Sequence, residues 1–297
     1  VPGGRESQRG AASLPGAPVA AAARSQALRL RDVSTAEILV RSEAGRRAVL
    51  AQTELLHREL GRAPSSWKGD GTRVTTADVA ISENIFRELG ALFPDDQFFS
   101  EELTHEGEPL AVTARFSWVL DPIDGTNNFA LGIPHCAIGL ALLENGRPVF
   151  GAVYDLAGRQ LIHGGPGQGV FCGERPAAMR GEKLTTQSMI GFHSPYDKRY
   201  APHAALLAGN YKLRGLGSST LHLAYVAAGL IDAVVDHNVK VWDIAAAVPL
   251  VLAAGGEVCF LTEAPFPLRQ FDLRMGRIFY VAGSSAACRQ LRGLLET

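Results

Sequence analysis

Four short stretches put carboxylates where secondary-structure elements should begin or end. They are Asp78 at a helix start, Glu101-Glu102 behind a short apolar strand, Asp121-Pro122-Ile123-Asp124-Gly125-Thr126 behind the apolar run 118–120, and Trp242-Asp243 at the head of an apolar helix. Asp121 and Asp124 should emerge from the end of a buried strand, with Pro122 fixing the bend between them. Carboxylates this close repel one another unless a cation sits between them. An all-oxygen set without His or Cys suits a hard ion, of which Mg²⁺ is the usual one. Gly125 lets the backbone approach a ligand closely. Thr126 offers a hydroxyl and, at a helix start, an N–H that suits a phosphate oxygen. Each feature alone has a plain explanation: Asp-Pro and Asp-Gly form turns, Glu101-Glu102 is a solvated pair, Asp243 is a helix cap and Asp78 a first-turn acid. Their joint occurrence points to metal-assisted chemistry on a phosphate.

The elements that must position these acids are set by periodicity. Ser34 with Glu37 three residues on reads as a capping box. Behind it, Ile38, Leu39, Val49, Leu50, Leu55, Leu56 and Leu60 form a helical stripe that Gly61 and Pro64 end. Residues 67–72 read as a turn-rich loop. A second helix starts at Thr76, with Ile81, Ile85, Phe86, Leu89 and Leu92 on one stripe. Strands are predicted at 97–99, 116–120, 136–143, 148–155, 160–164 and 169–172, and Asn145-Gly146 marks a hairpin. Further strands are predicted at 189–192, 212–216, 233–236, 256–261 and 278–282, with helices at 219–229, 243–254 and 285–295. The mixture implies alternating helix and sheet layers.

The chain has 297 residues and is 46% hydrophobic, enough for one large core or two closely packed lobes. A formal net charge of −1 gives no reason to expect nucleic acid or an anionic membrane as partner. No apolar run is long enough to cross a bilayer. Cys136, Cys172, Cys259 and Cys288 are irregularly spaced and read as buried thiols rather than a zinc site or a disulfide framework. Residues 1–25, rich in Gly, Ala, Pro, Ser and Arg, read as a disordered tail or alternatively an organelle transit peptide. Cytoplasmic location is the default expectation.

Asp121-Pro122-Ile123-Asp124-Gly125-Thr126-Asn127-Asn128-Phe129 resembles the first signature of the inositol monophosphatase superfamily. Trp242-Asp243-Ile244-Ala245-Ala246-Ala247 followed by Ala254-Gly255-Gly256 resembles its second. Arg214 with Gly217-Ser218-Ser219 is similar to its substrate-side segment, and Phe98-Phe99-Ser100-Glu101-Glu102 to its Glu-Glu motif. The stretch from Lys68-Gly69-Asp70-Gly71-Thr72 to Asp78 is similar to its mobile first loop. The motifs stand in family order from about Ser34 to the end.

The resemblance implies an α+β fold layered as an α-β-α-β-α sandwich, in a single phosphatase domain over 26–297. Its metal-binding α+β lobe would cover about 26–180 and an α/β lobe 181–297. It also implies two or three Mg²⁺ ions per site. Glu101, Asp121 and the Ile123 carbonyl would hold the first, Asp121, Asp124 and Asp243 the second, and Glu101 would support a third. Asp78 and Thr126 would orient the attacking water, and no protein nucleophile is required. Lys68, Asp124, Gly125, Thr126, Gly217, Ser218, Ser219 and Asp236 would face a small phosphorylated polyol or sugar, Lys68 reading equally as a solvated loop residue. An inositol monophosphate is the first expectation. Asp236 is shorter than the Glu usual in animal members, and Ser218-Ser219-Thr220 is more polar than the usual alanines. Histidinol phosphate, fructose 1,6-bisphosphate and adenosine 3′,5′-bisphosphate are therefore alternatives, as is a non-catalytic regulatory role. A homodimer is the family expectation. His193, His222 and His237 read as surface or core residues, with His237 near enough to Asp236 in sequence to reach a substrate.

Overall fold

Helices lead in the described part of the chain. The computed structural model describes residues 35–296 apart from 70, 105–106 and 182. The expected tail 1–25, the expected cap Ser34 and Asp70 of the first loop lie outside the described residues. First come α1 (Thr35–Leu50), α2 (Thr53–Glu59), the hairpin β1 (Ser65–Trp67) and β2 (Arg73–Thr75), and α3 (Thr76–Leu92). Next are β3 (Gln97–Ser100), β4 (Leu110–Ala111), β5 (Phe116–Asp124), the short α4 (Thr126–Ala130), and β6 (Ala137–Glu144). The meander continues through β7 (Arg147–Asp155), β8 (Gln160–Gly165), β9 (Gly169–Cys172) and β10 (Arg175–Pro176). The remainder runs β11 (Met189–Phe192), α5 (Ala201–Asn210), β12 (Lys212–Arg214), α6 (Ser219–Ala227), β13 (Ala233–Val239), α7 (Val241–Ala245) and α8 (Val248–Ala253). It closes with β14 (Glu257–Phe260), β15 (Gln270–Phe271), β16 (Ile278–Gly283) and α9 (Ser285–Leu295).

Local chemistry explains the main boundaries. Thr75 caps α3: its hydroxyl accepts from the Ala77 and Asp78 amides, while the Asp78 carboxylate accepts the Thr75 amide at 2.8 Å. Along α3, Ile81, Ile85 and Leu89 recur every fourth residue and are wholly buried. The β6–β7 turn has Asn145 and Gly146 both at positive φ, 51° and 75°, as a two-residue hairpin requires.

Two sheets result. The larger has the order β10-β9-β8-β7-β6-β5-β3, antiparallel except for the parallel pair β3–β5. The smaller has the order β12-β11-β13-β16-β14, with β12, β11 and β13 mutually parallel. Helices α1 and α3 cover one face of the large sheet. Between its other face and the small sheet lie α6 and α8, and α9 closes the small sheet outside together with α5. This is the expected α-β-α-β-α order. Three apolar cores fill the gaps between layers, and β5 feeds two of them. Its Trp118 and Leu120 point toward α1 and α3, and its Val119 toward the middle helices. A strand buried on both faces reads as a continuous apolar run, as 116–120 does.

Three expectations are corrected. The helix expected from 34 to 60 is broken at Ala51-Gln52, where Gln52 turns inward and its carbonyl oxygen accepts from Asn84 of α3 at 2.9 Å. The helix expected over 243–254 begins at Val241 and is divided in two, because Pro249 cannot continue a preceding helix but is well placed in the first turn of a new one. A loop does follow as expected within 67–72, between β1 and β2, but Trp67 is the last residue of β1, and α5 was not anticipated.

Candidate active site

The end of β5 is where the chemistry gathers. The β5–β6 ladder is regular to Asp121 and slips between Asp121 and Asp124, so the strand kinks at Pro122 and turns both aspartates toward one cavity. Glu101 arrives from the end of the parallel neighbour β3, and Asp243 from the first turn of α7. Carboxylate oxygens of Glu101, Asp121 and Asp243 all lie within 4.8 Å of one another. The cavity, about 470 Å³, is lined by these three acids together with Ile123, Asp124, Gly125, Thr126, Gly217 and Ser219.

Burial and mutual repulsion act on the cluster together. Asp121 and Asp243 are pushed well above the ordinary carboxylate range, first by desolvation and then by the neighbouring acids. Asp124 is also raised by burial, but less freely, because Ser218 Oγ and the Thr220 amide donate to its Oδ2 at 2.7 and 2.6 Å. Asp121 Oδ1 is buried and has no hydrogen-bond partner. A buried oxygen of this kind needs a reason, and a hard cation shared with Glu101 and Asp243 supplies one. The all-oxygen donor set fits Mg²⁺.

Asp78 stands behind the cavity wall, almost fully buried. Its Oδ2 is held by the Thr75 amide and hydroxyl, and its Oδ1 lies 3.5 Å from Thr126 Oγ1. Burial is the main cause lifting its pKa to about 7, with Glu102 and Glu101 adding to the rise against the lowering bond from Thr75. The Thr126 hydroxyl makes its shorter bond, 2.9 Å, to the Ile123 carbonyl. Gly125 sits at φ 90°, and a Cβ there would lie 3.0 Å from the carbonyl oxygens of Gly217 and His135, so glycine is required. The Asn128 amide donates to the His135 carbonyl at 2.7 Å and to the Leu216 carbonyl at 2.8 Å, joining the segment after β5 to the one before α6.

Four expected site residues are placed off the cavity wall. Lys68 extends its ammonium to Glu101 at 2.7 Å and Glu102 at 2.6 Å. Burial alone would lower its pKa, and the two carboxylates override that, leaving it above the usual lysine range. It is thus neither a solvated lysine nor a lining cation, but a partner of the Glu-Glu pair. Ser218 is wholly buried: it caps α6 through the Leu221 amide and donates to Asp124. Asp236 is wholly buried too, accepting from Ser219 Oγ at 2.8 Å and from the Asn238 amide at 3.0 Å. Its short side chain is spent inside the protein, one layer behind the wall. Asp78 is the fourth.

Other residues stand on the wall that the motifs did not single out. His193 lines it, with Nδ1 2.8 Å from Ser219 Oγ and 3.8 Å from the Asp236 carboxylate. Trp67, Arg73, Lys240 and Arg277 line it as well. Nothing in sequence spacing marks a loop arginine as facing a pocket rather than water. His237 does not reach it: it is packed between Tyr200 and Phe279 and sits 3.0 Å from His203 Nδ1. His222 is a core residue whose Nε2 accepts the Leu216 amide.

Layered fold and converging acids define an α-β-α-β-α scaffold with an all-oxygen cluster suited to a hard cation, and comparison with known proteins gives the family. The chain matches the model of the inositol monophosphatase family over residues 33–291, and it belongs to that family. It is 35% identical over 213 residues to the inositol-1-monophosphatase of Mesorhizobium japonicum, covering 68% of this chain and 79% of the relative. It is also 35% identical over 196 residues to a protein named Nus factor SuhB in Xylella fastidiosa, covering 64% and 70%. Among solved structures, the extragenic suppressor protein suhB of Bartonella henselae superposes with a TM-score of 0.75 at 27% identity, over 86% of this chain and 98% of that one. No helix among the described residues is long and apolar enough to cross a membrane.

Proposed function

We propose that the protein hydrolyses a small phosphate monoester with the help of Mg²⁺, an inositol monophosphate being the first substrate to try. The observation that carries this reading is the convergence of Glu101, Asp121 and Asp243 within 4.8 Å around a buried oxygen that no protein group satisfies. Glu101, Asp121, Asp124, Asp243 and the Ile123 carbonyl are the groups that would hold the ions. When bound, Mg²⁺ supplies Lewis-acid polarisation of the phosphoryl oxygens and acidifies water.

The chain's own residues do the rest. Asp78, with a pKa of about 7, is poised to take a proton near neutral pH, and its contact with Thr126 Oγ1 connects it to the cavity. The amides of Gly125 and Thr126, at the start of α4, offer hydrogen bonds to negative charge developing on the phosphate. Ser219 stands on the wall beside His193, but its hydroxyl donates to Asp236 and is better suited to positioning a substrate hydroxyl than to attacking phosphorus. Purified protein with Mg²⁺ should release phosphate from inositol 1-phosphate or another small monoester. No release from any member of a panel would end this reading.

The similarity to a protein named a Nus factor supports a second reading, that this chain also serves as a regulatory binding protein. Stoichiometric capture of a macromolecular partner by a turnover-dead Asp121→Asn variant would favour it, and absence of any partner would discard it.

A further inference from the structure

A second group of side chains of metal-binding type lies outside the cavity lining, between β14 and α9. Strand alternation puts Glu257 and Cys259 of β14 on one face of the small sheet, the face that α9 covers. Val258 points the other way, into the core shared with the middle helices. From the start of α9, Ser285 and Cys288 are three residues apart, so they share a helix face and reach back to the same spot. The Ser285 hydroxyl donates to one oxygen of the Glu257 carboxylate. The Cys259 thiol lies 3.9 Å from the other oxygen, and the Cys288 thiol 3.6 Å from the Glu257 carbonyl. A carboxylate oxygen of Glu257 and the two sulfurs all lie within 4.8 Å of one another. Both cysteines are free and buried, in a core otherwise built from residues such as Leu207, Val235, Val281 and Leu291. Glu257 is half-buried, which gives the group a way in from solvent. A carboxylate turned toward an apolar core needs a partner.

The spacing of the cysteines carries no metal motif, yet the fold brings two of them against one carboxylate. We propose that Glu257, Cys259 and Cys288 form a site for one thiophilic divalent ion of the Zn²⁺ type, which fastens α9 to β14. Two thiolates and a carboxylate are a donor set for a borderline-soft ion, unlike the all-oxygen set at the end of β5. A tetrahedral ion with bonds of about 2.0 to 2.3 Å holds its ligand atoms about 3.5 to 3.8 Å apart. The 3.9 Å between Cys259 Sγ and the Glu257 carboxylate is already close to that. On binding, each thiol loses its proton to solvent and its sulfur bonds the ion. Glu257 gives the third bond and water takes the fourth position. Three anionic ligands on a divalent ion leave one net negative charge, and Arg292, one turn beyond Cys288 on α9, is a cation whose charge bears on both thiols. Strand β14 is the edge of the small sheet, so the ion ties that edge to the helix outside it. None of this depends on the phosphatase reading above.

The test uses the full chain, reduced and freed of metal with a chelator, then held at saturating Mg²⁺ to fill the all-oxygen cluster. Co²⁺ is the probe, because a thiolate–Co²⁺ bond gives a near-ultraviolet charge-transfer band that oxygen ligands do not. Co²⁺ should raise this band, and Zn²⁺ should bleach it by displacement. Cys259→Ser and Cys288→Ser should each weaken the band and lower Co²⁺ affinity at least about tenfold. Cys172→Ser should leave both unchanged. Glu257→Gln should keep the band, since both sulfurs remain, at reduced affinity. X-ray absorption at the zinc edge of the native, zinc-loaded protein should show two sulfurs around the ion, a readout that needs no variant. A native protein without the band, or zinc held by oxygen and nitrogen alone, overturns the proposal. So does a band that survives Cys259→Ser and Cys288→Ser at unchanged affinity. Those outcomes would leave the two thiols as core packing only.

Discussion

Two buried aspartates on neighbouring strand ends have opposite surroundings. Asp96, just before β3, takes three bonds from Arg41 at 2.9 to 3.3 Å and a fourth from Trp118 Nε1 at 3.0 Å. Arg41 in turn lies over the Phe116 ring at 4.0 Å. Asp121, at the end of β5, is as deeply buried, yet its Oδ1 has nothing to accept from, and its nearest charges are other acids. Unpaired burial of a carboxylate is costly. A fold that tolerates it at Asp121 while satisfying Asp96 completely separates a structural acid from one that, on the proposed function, holds an ion.

The largest test of this contrast is Asp121→Asn. Removing an ion-holding charge should lower phosphate release about 10³-fold, equivalent to roughly 4 kcal/mol of transition-state stabilisation, while metal-free thermal stability stays level or rises. A destabilised variant would mean that Asp121 is structural after all. Asp96→Ala should do the reverse. Leaving Arg41 without its partner should cost about 3 kcal/mol in denaturant unfolding, with kcat on the remaining folded protein unchanged. Mg²⁺ should raise the melting temperature of the native protein by an amount worth about 2.7 kcal/mol at a hundred times its Kd, and do far less for Asp121→Asn.

The smallest effect concerns a buried base. Burial lowers His222 to about 3, and its Nε2 must stay unprotonated to accept the Leu216 amide. Its folded pKa lies below the unfolded value of about 6.5, so the stability it contributes is complete above 6.5 and erodes as pH falls from 6.5 toward 3. The loss should be about 2 kcal/mol by pH 5. His222→Gln keeps an acceptor but does not titrate, so the difference between its melting curve and the native one across pH 7 to 5 isolates this contribution.

Much of the site was legible because its acids sit at ends of elements that periodicity locates well: the apolar run 116–120 dictates a doubly buried strand, and the residues just beyond it must surface. The layer order was legible for the same reason. The β1–β2 hairpin was not, since Ser65, Ser66 and Trp67 are all exposed and carry no apolar alternation. Depth was the other blind spot. Asp236 and Asp124 are the same residue type flanking the same helix, yet one reaches the cavity and the other is absorbed by Ser219 and Asn238, a difference set by tertiary packing. Arg73, on the short edge strand β2, and Arg277, in a loop, were invisible because an exposed cation has the same local sequence whether it faces a ligand or water.

Asn128 stands on the cavity wall with both hydrogens of its amide already committed, one to each of two strands of chain, the farther contact lying 88 residues away in sequence. It has no donor left to offer a guest. It therefore works as a crossbar, and redesigning selectivity from the 214–219 side would tug on the short helix α4 that carries Thr126. Changes of taste in this pocket should come more readily from the rim, where no such strut connects what is altered to what must stay still.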